Sequence, residues 1–288
     1  MNNSSLPHIE TPSGKDTDYE NFPVGSWLLP ARLRPHITTF YRFARAIDDI
    51  ADNPDLSAEE KTERLSGFER AINGVNADDT DYGTGHRMRG SLLETKVPPQ
   101  HCLDLIEAFK QDAVKNRYDD WDDLITYCLL SAAPVGRYLI DLNGGSRDGY
   151  GPSDALCNAL QVINHLQDCQ DDYRTLNRVY LPGDWMMKAG VTAGELDSGQ
   201  CSPGLRKVLD QCLDETGHLM EAARDLPSGV HSRRLAMESQ AIINIADQLV
   251  AKLRNDDPLS THVKLSKSTY LWCCVSGSIA ALIRGRRR

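Results

Sequence analysis

The stretch ARLRPHITTFYRFARAIDDIADNP, residues 31–54, decides the fold class. Leu33, Ile37, Phe40, Tyr41, Ala44 and Ala51 recur at the steps that gather side chains on one face of an α-helix, and Pro54, with no N–H to donate, closes the run. The same period returns along nearly the whole chain, and no series of short alternating segments rich in Val, Ile, Thr and aromatics interrupts it. The chain is therefore expected to be all-α.

Working outward, Ser57 and Glu60 form a capping box that opens a second helix running to Gly74, and the polar, Gly-rich residues 75–97 read as a surface loop. Pro98-Pro99 precedes a helix to about residue 115. A further helix is expected over 121–142, bent by Pro134 and Gly136. Ser153 is positioned to cap a long helix passing through Gln161, Asn164 and Asp172, which gives way to an extended segment at 178–182. Helices at 203–225, 230–254 and 260–284 complete the series. No repeat, low-complexity tract or linker stands out, so residues 19–288 are read as one domain behind a disordered segment 1–18.

Hydrophobic residues at 40% and charged residues at 25% suit a folded, water-soluble body with one large core. A net charge of −9 gives no general attraction to phosphate backbones, which argues against nucleic acid as a partner. The 8 cysteines contain no Cys-x-x-Cys pair and lie mostly in apolar helical runs, as reduced core residues do. Residues 1–18 lack the basic and apolar regions of a secretory signal, so the cytoplasm is the expected compartment. Residues 270–288 combine a short apolar run with Arg284, Arg286, Arg287 and Arg288. That segment is read either as a core-packed C-terminal helix with a basic tail or as a peripheral contact with the inner face of a membrane.

Two acidic clusters carry the chemistry. Asp48 and Asp52 lie about 40° apart around a helix, one turn from each other, with Asp49 beside them. Asn164, Asp168 and Asp172 follow at steps of four and cover about 80° of one face. Like charges stacked this way without intervening lysine or arginine call for a counter-ion, and all-oxygen ligands suit Mg²⁺ shared with substrate phosphates. Two such stripes facing each other would clamp a diphosphate and activate it as a leaving group.

These runs resemble a known family. The sequence FYRFARAIDDIAD, residues 40–52, is similar to the first signature of squalene and phytoene synthases. NHLQDCQDD, residues 164–172, followed by RVYLP, residues 178–182, resembles their second. Between them YCLLSAAPVG, residues 127–136, is similar to the family's Tyr-Cys…Val-Gly helix. The resemblance implies an isoprenoid synthase helical bundle with a central cavity and an isoprenoid diphosphate substrate. It makes Asp48, Asp52, Asn164, Asp168 and Asp172 ligands of Mg²⁺ or carboxylates of the diphosphate site, and Arg45 a diphosphate contact. It also implies active-site roles for Tyr41 and Tyr127, and substrate contacts from Arg178 and Tyr180.

The family often carries Arg before the first Asp of the second signature, where this chain has Gln167, which is kept as a candidate substrate contact, and its Ser-x-Ser-Phe region reads Tyr19-Glu20-Asn21-Phe22 here. Loss of diphosphate-binding groups favours an enzyme that ionises one diphosphate over one that joins two. The pattern resembles the bacterial hydroxysqualene synthase branch, which implies conversion of presqualene diphosphate and water to hydroxysqualene and diphosphate, alongside other pathway enzymes. Head-to-head condensation of two prenyl diphosphates and a non-catalytic assembly role are the alternatives. No Gly-x-Gly-x-x-Gly follows a strand pattern, so no nicotinamide cofactor is expected.

Overall fold

The computed structural model describes Ile9 and residues 29–75 and 80–284. The expectations for the rest of the N-terminal segment 1–18, for Tyr19–Phe22 and for Arg286, Arg287 and Arg288 fall outside the described residues. The described residues are helical almost throughout, in agreement with the all-α reading, and they gather into two compact units, one within residues 31–114 and one of residues 115–284 with Leu29 and Pro30.

The first unit holds four helices. α1 (Arg34–Asp52) buries Ile37, Phe40, Phe43, Ile47 and Ile50, and α2 (Ala58–Asn73) buries Leu65, Phe68, Ala71 and Ile72. The capping box opens α2 as expected: the Glu60 amide donates to Ser57 Oγ at 3.2 Å and the Ser57 amide donates to Glu60 Oε2 at 2.8 Å. α4 (Gln100–Asp112) contributes Cys102, Leu105, Ile106 and Ala108.

The expected 75–97 loop is corrected: a turn of 3₁₀ helix at Thr80–Tyr82 leads into α3 (Gly83–Thr95). Its glycines depress helix propensity, and its inward face is built of Thr84, Gly85, Met88, Ser91 and Leu92, so polar and small residues hide the apolar period. Packing holds it instead. Tyr82 stacks edge-on against Phe68 at 5.3 Å, and it fits only because Gly67 has no side chain; a Cβ there would stand 2.0 Å from the Tyr82 ring.

The second unit begins with β1 (Arg117–Tyr118), which pairs in parallel with β2 (Val179–Pro182). α5 (Trp121–Ser131) and α6 (Ala133–Leu142) replace the single bent helix expected at 121–142, the break falling at Ala132, two residues before Pro134. A proline lacking its N–H can start a helix more readily than continue one. Gly136 then lets α6 close on α7 (Tyr150–Gln167), since a Cβ would meet Ser153 Oγ at 2.2 Å.

Ser153 is therefore buried inside α7 rather than capping it; Ser146 caps the preceding 3₁₀ turn, Arg147–Gly149. α8 (Cys169–Leu176), α9 (Gly183–Ala189), α10 (Pro203–Ala223), the short α11 (Leu226–Gly229), α12 (Arg233–Asn255) and α13 (Lys267–Arg284) follow. α7 packs against α6, α10 and α12, and α12 carries α13.

Candidate active site

In the first unit the candidate residues form a strip along α1. Tyr41, Arg45, Asp48 and Asp52 fall within about 60° of one another around the helix axis, away from Phe43, Ile47 and Ile50, which enter the core. Arg45 Nη1 donates to Asp48 Oδ2 at 2.7 Å, and its Nε lies 3.8 Å from Asp49 Oδ1. The carboxylates occupy the last turns of α1, where the helix dipole is already negative and the last turn itself holds no basic residue to offset it. Lys61 supplies some compensation from α2 by donating to the Ala51 carbonyl at 2.8 Å.

Burial, and next the charge of Asp52, push the Asp48 carboxyl up to about 7; Arg45 opposes that rise, while Asp49 and Asp112 add to it. Asp112 is buried on α4 and has no place in the sequence motifs.

In the second unit the stripe of Asn164, Asp168 and Asp172 crosses a break. α7 ends at Gln167 and α8 begins at Cys169, with Asp168 between them at φ −104° and ψ 7°. The long helix expected through Asp172 is thus two helices, yet the stripe survives. The Asp168 amide donates to the Asn164 carbonyl at 2.9 Å and the Asp172 amide donates to the Asp168 carbonyl at 2.8 Å, so the same three positions are joined by successive helical hydrogen bonds. His262 Nδ1 lies 3.7 Å from Asp168 Oδ1. Gln167 is buried and its amide donates to the Val263 carbonyl, tying the end of α7 to the segment before α13.

Beyond α8 the chain reverses at Asn177, which takes the left-handed conformation at φ 52°. Arg117 fastens this turn: its guanidinium donates to the Asn177 carbonyl, and to Asn177 Oδ1 at 2.8 Å. Arg178 and Tyr180 are consequently held inward.

Tyr180 belongs to an aromatic cluster. Its ring stacks on His165 at 3.5 Å and 11°, and lies 5.5 Å from Tyr118 and 5.9 Å from Tyr127. Tyr118 and Tyr127 are 5.3 Å apart. Burial, with a smaller contribution from the Arg178 charge, lowers His165 to about 3, so the imidazole is neutral at physiological pH. Three motif residues, Tyr127, Arg178 and Tyr180, thus meet around α7. His165 and Tyr118 join them without having been singled out: His165 follows Asn164 on a buried face, and Tyr118 reaches the cluster through a strand pairing of very few residues.

Each stripe by itself offers oxygen ligands of the kind a hard divalent cation takes: the Asp48 and Asp52 carboxylates on α1, and the Asn164 amide with the Asp168 and Asp172 carboxylates on α7 and α8. Among the described residues no group of three or more His, Cys, Asp and Glu side chains could hold a metal ion by itself. Mg²⁺ commonly takes one or two protein carboxylates and draws its other ligands from water and substrate phosphate, which is the kind of site these residues could complete.

The chain is similar to known proteins over most of its length. The family model for squalene/phytoene synthase matches residues 16–269. The hydroxysqualene synthase of Rhodopseudomonas palustris is 41% identical over 275 residues, covering 96% of this chain and 93% of that protein. The hydroxysqualene synthase of Zymomonas mobilis is 40% identical, covering 90% and 87%. Among solved structures, squalene synthase HpnC from Alicyclobacillus acidocaldarius superposes with a TM-score of 0.71 at 31% identity, covering 82% of this chain and 88% of that one. With this match over most of its length, and with both acidic signatures in place, the chain belongs to the squalene/phytoene synthase family.

Proposed function

We propose that this chain is an Mg²⁺-dependent enzyme that converts presqualene diphosphate and water to hydroxysqualene and diphosphate. Membership of the family makes it an enzyme acting on prenyl diphosphates, and the similarity to two hydroxysqualene synthases at 40–41% identity supports the finer reading. The structural observation that supports it is that α7 carries both Asn164, the first residue of the acidic stripe, and His165, whose ring stacks on Tyr180 within a buried cluster of aromatic rings.

Bound Mg²⁺ would supply Lewis-acid stabilisation of the departing diphosphate. Asp48 and Asp52 of α1 and Asn164, Asp168 and Asp172 of the second stripe would hold it, and Arg45 adds a fixed positive charge toward the same anion. The carbon–oxygen bond breaks with its electron pair leaving on diphosphate, and the cyclopropylcarbinyl cation rearranges to the linear skeleton. The Tyr127 ring steadies that cation through its quadrupole, backed by Tyr180, which is itself stacked on His165. Water forms the new carbon–oxygen bond and gives up a proton. Tyr41 and Arg178 are assigned to the substrate's surroundings. Gln167 supports the stripe through its tie to the Val263 carbonyl, in a position where the Arg of many relatives would add charge.

Incubation of purified protein and Mg²⁺ with presqualene diphosphate in ¹⁸O-labelled water tests this. The expected product is hydroxysqualene carrying one labelled oxygen. Formation of a C30 product from farnesyl diphosphate alone would instead establish the condensing activity.

A further inference from the structure

We propose that the outward face of α13 is a membrane-docking surface that seats the chain in the plane of an anionic lipid bilayer. α13 is fixed to the protein by its inner face. Cys273 is 3% exposed, and the backbone at Gly277 presses so closely on α12 that a Cβ would stand 2.6 Å from the Ala241 backbone. The other face carries Leu271, Trp272, Val275, Ile279, Leu282 and Ile283, all exposed, with Trp272 at 69% and Ile283 at 79%. These six side chains fall within an arc of about 120°, and no polar residue between 271 and 283 enters it. Single exposed apolar residues are ordinary; a contiguous helical stripe of them marks a surface that meets another apolar phase.

Charge identifies the occupant. After Asp257 the sequence has no acidic residue, yet it carries Lys264 shortly before α13, Lys267 at the first position of that helix, and Arg284, Arg286, Arg287 and Arg288 among the last residues of the chain, in a protein whose net charge is −9. A stretch of sequence that joins an apolar stripe to six cations and no acid matches the headgroup layer of an anionic membrane, into which the stripe sinks. Spanning is excluded for α13: no helix among the described residues is long and apolar enough to cross a membrane. Its apolar run, residues 270–283, reaches about 21 Å against a hydrocarbon core of about 30 Å. The surface itself stands on geometry and charge; its use, loading and releasing a water-insoluble prenyl chain at the bilayer, rests on the proposed function.

Flotation of the purified full chain with vesicles of phosphatidylcholine, alone or mixed with phosphatidylglycerol, tests the inference. Binding to the anionic vesicles is expected to be about tenfold or more stronger and to weaken as salt is raised. Trp272 emission should shift to the blue on binding, a change absent from Trp272→Phe, which reads insertion in a protein whose fold is untouched. The variant Leu271→Ser, Trp272→Ser, Leu282→Ser should keep its unfolding temperature and its turnover of substrate in detergent micelles while losing vesicle binding. Three results would overturn the inference: no binding to either vesicle, equal binding by the triple variant, or a dimer of the wild type that the triple variant dissolves. Vesicle binding without turnover of presqualene diphosphate in micelles would sink the proposed function and leave the docking surface standing.

Discussion

On α1, Asp48 and Asp52 stand on an unbroken helix with Arg45 alongside; on α7 and α8, Asn164, Asp168 and Asp172 straddle a break, and Gln167 is engaged with a backbone carbonyl. Both stripes have the same spacing in sequence. In the first, burial and charge act together: the Asp48 carboxyl is desolvated, neighbouring carboxylates at the helix C-terminus add repulsion that an arginine partly offsets, and the group is pushed up to about 7. In the second, geometry dominates: the Asp168 backbone leaves the helical region, and successive hydrogen bonds through 164, 168 and 172 keep the side chains in line. The comparison teaches that equal periodicity does not mean equal electrostatics, and the two stripes should respond differently to substitution, metal and pH.

The largest expected effect treats the stripes alike. Asp48→Ala and Asp168→Ala should each lower kcat/KM on presqualene diphosphate by about a thousandfold or more while far-UV circular dichroism stays native, because each removes an oxygen required only when the diphosphate and its metal are bound. Retention of full activity by either variant would remove that stripe from the site.

Gln167→Leu separates stripe geometry from stripe charge. It leaves the buried Val263 carbonyl without this donor, which should destabilise the protein by about 1–3 kcal/mol, seen as a lower melting temperature. A comparable change at Arg45, whose side chain lies on the partly buried strip of α1 and keeps contact with solvent, should act on substrate affinity more than on melting. If Gln167→Leu changes KM without changing the melting temperature, Gln167 serves the substrate directly.

The smallest effect is a pH dependence confined to α1. Asp48 has a folded value near 7 against an ordinary 3.8, so the folded protein holds a proton that the unfolded chain releases. The stability this contributes is present at low pH and is lost as pH rises through about 7. With metal chelated, the wild type should lose about 1 kcal/mol between pH 6 and pH 8 relative to Asp48→Asn, measured by denaturant melts at each pH. Added Mg²⁺ should abolish the difference by stabilising the charged form.

Much of this was legible in local sequence. The apolar face of residues 31–53 became α1 over Arg34–Asp52, and the Ser57 and Glu60 box became the start of α2, because side-chain period and capping act over a few residues. α3 was illegible for the complementary reason: Gly85 and Ser91 stand where a core would show larger apolar residues, and Tyr82 packing onto Gly67 is a contact between elements. The break at Asp168 has no proline or glycine to announce it, and the burial of Ser153 follows from where α6 lies. Within the candidate site, Asp112 and Tyr118 were missed because each acts on a residue far away in sequence.

By itself, then, the sequence determined which residue types could hold a metal diphosphate and that helices would space them at single turns, since helical period is a local property of the chain. Only the tertiary structure decided the state of those groups. Burial beside Asp52 and Asp112 set the charge of Asp48, the pairing of β1 with β2 brought Tyr118 onto Tyr180, and the packing of α13 on α12 chose which of its faces is left outward. Desolvation, stacking and exposure depend on what stands opposite a residue, and no run of neighbours in the chain specifies that.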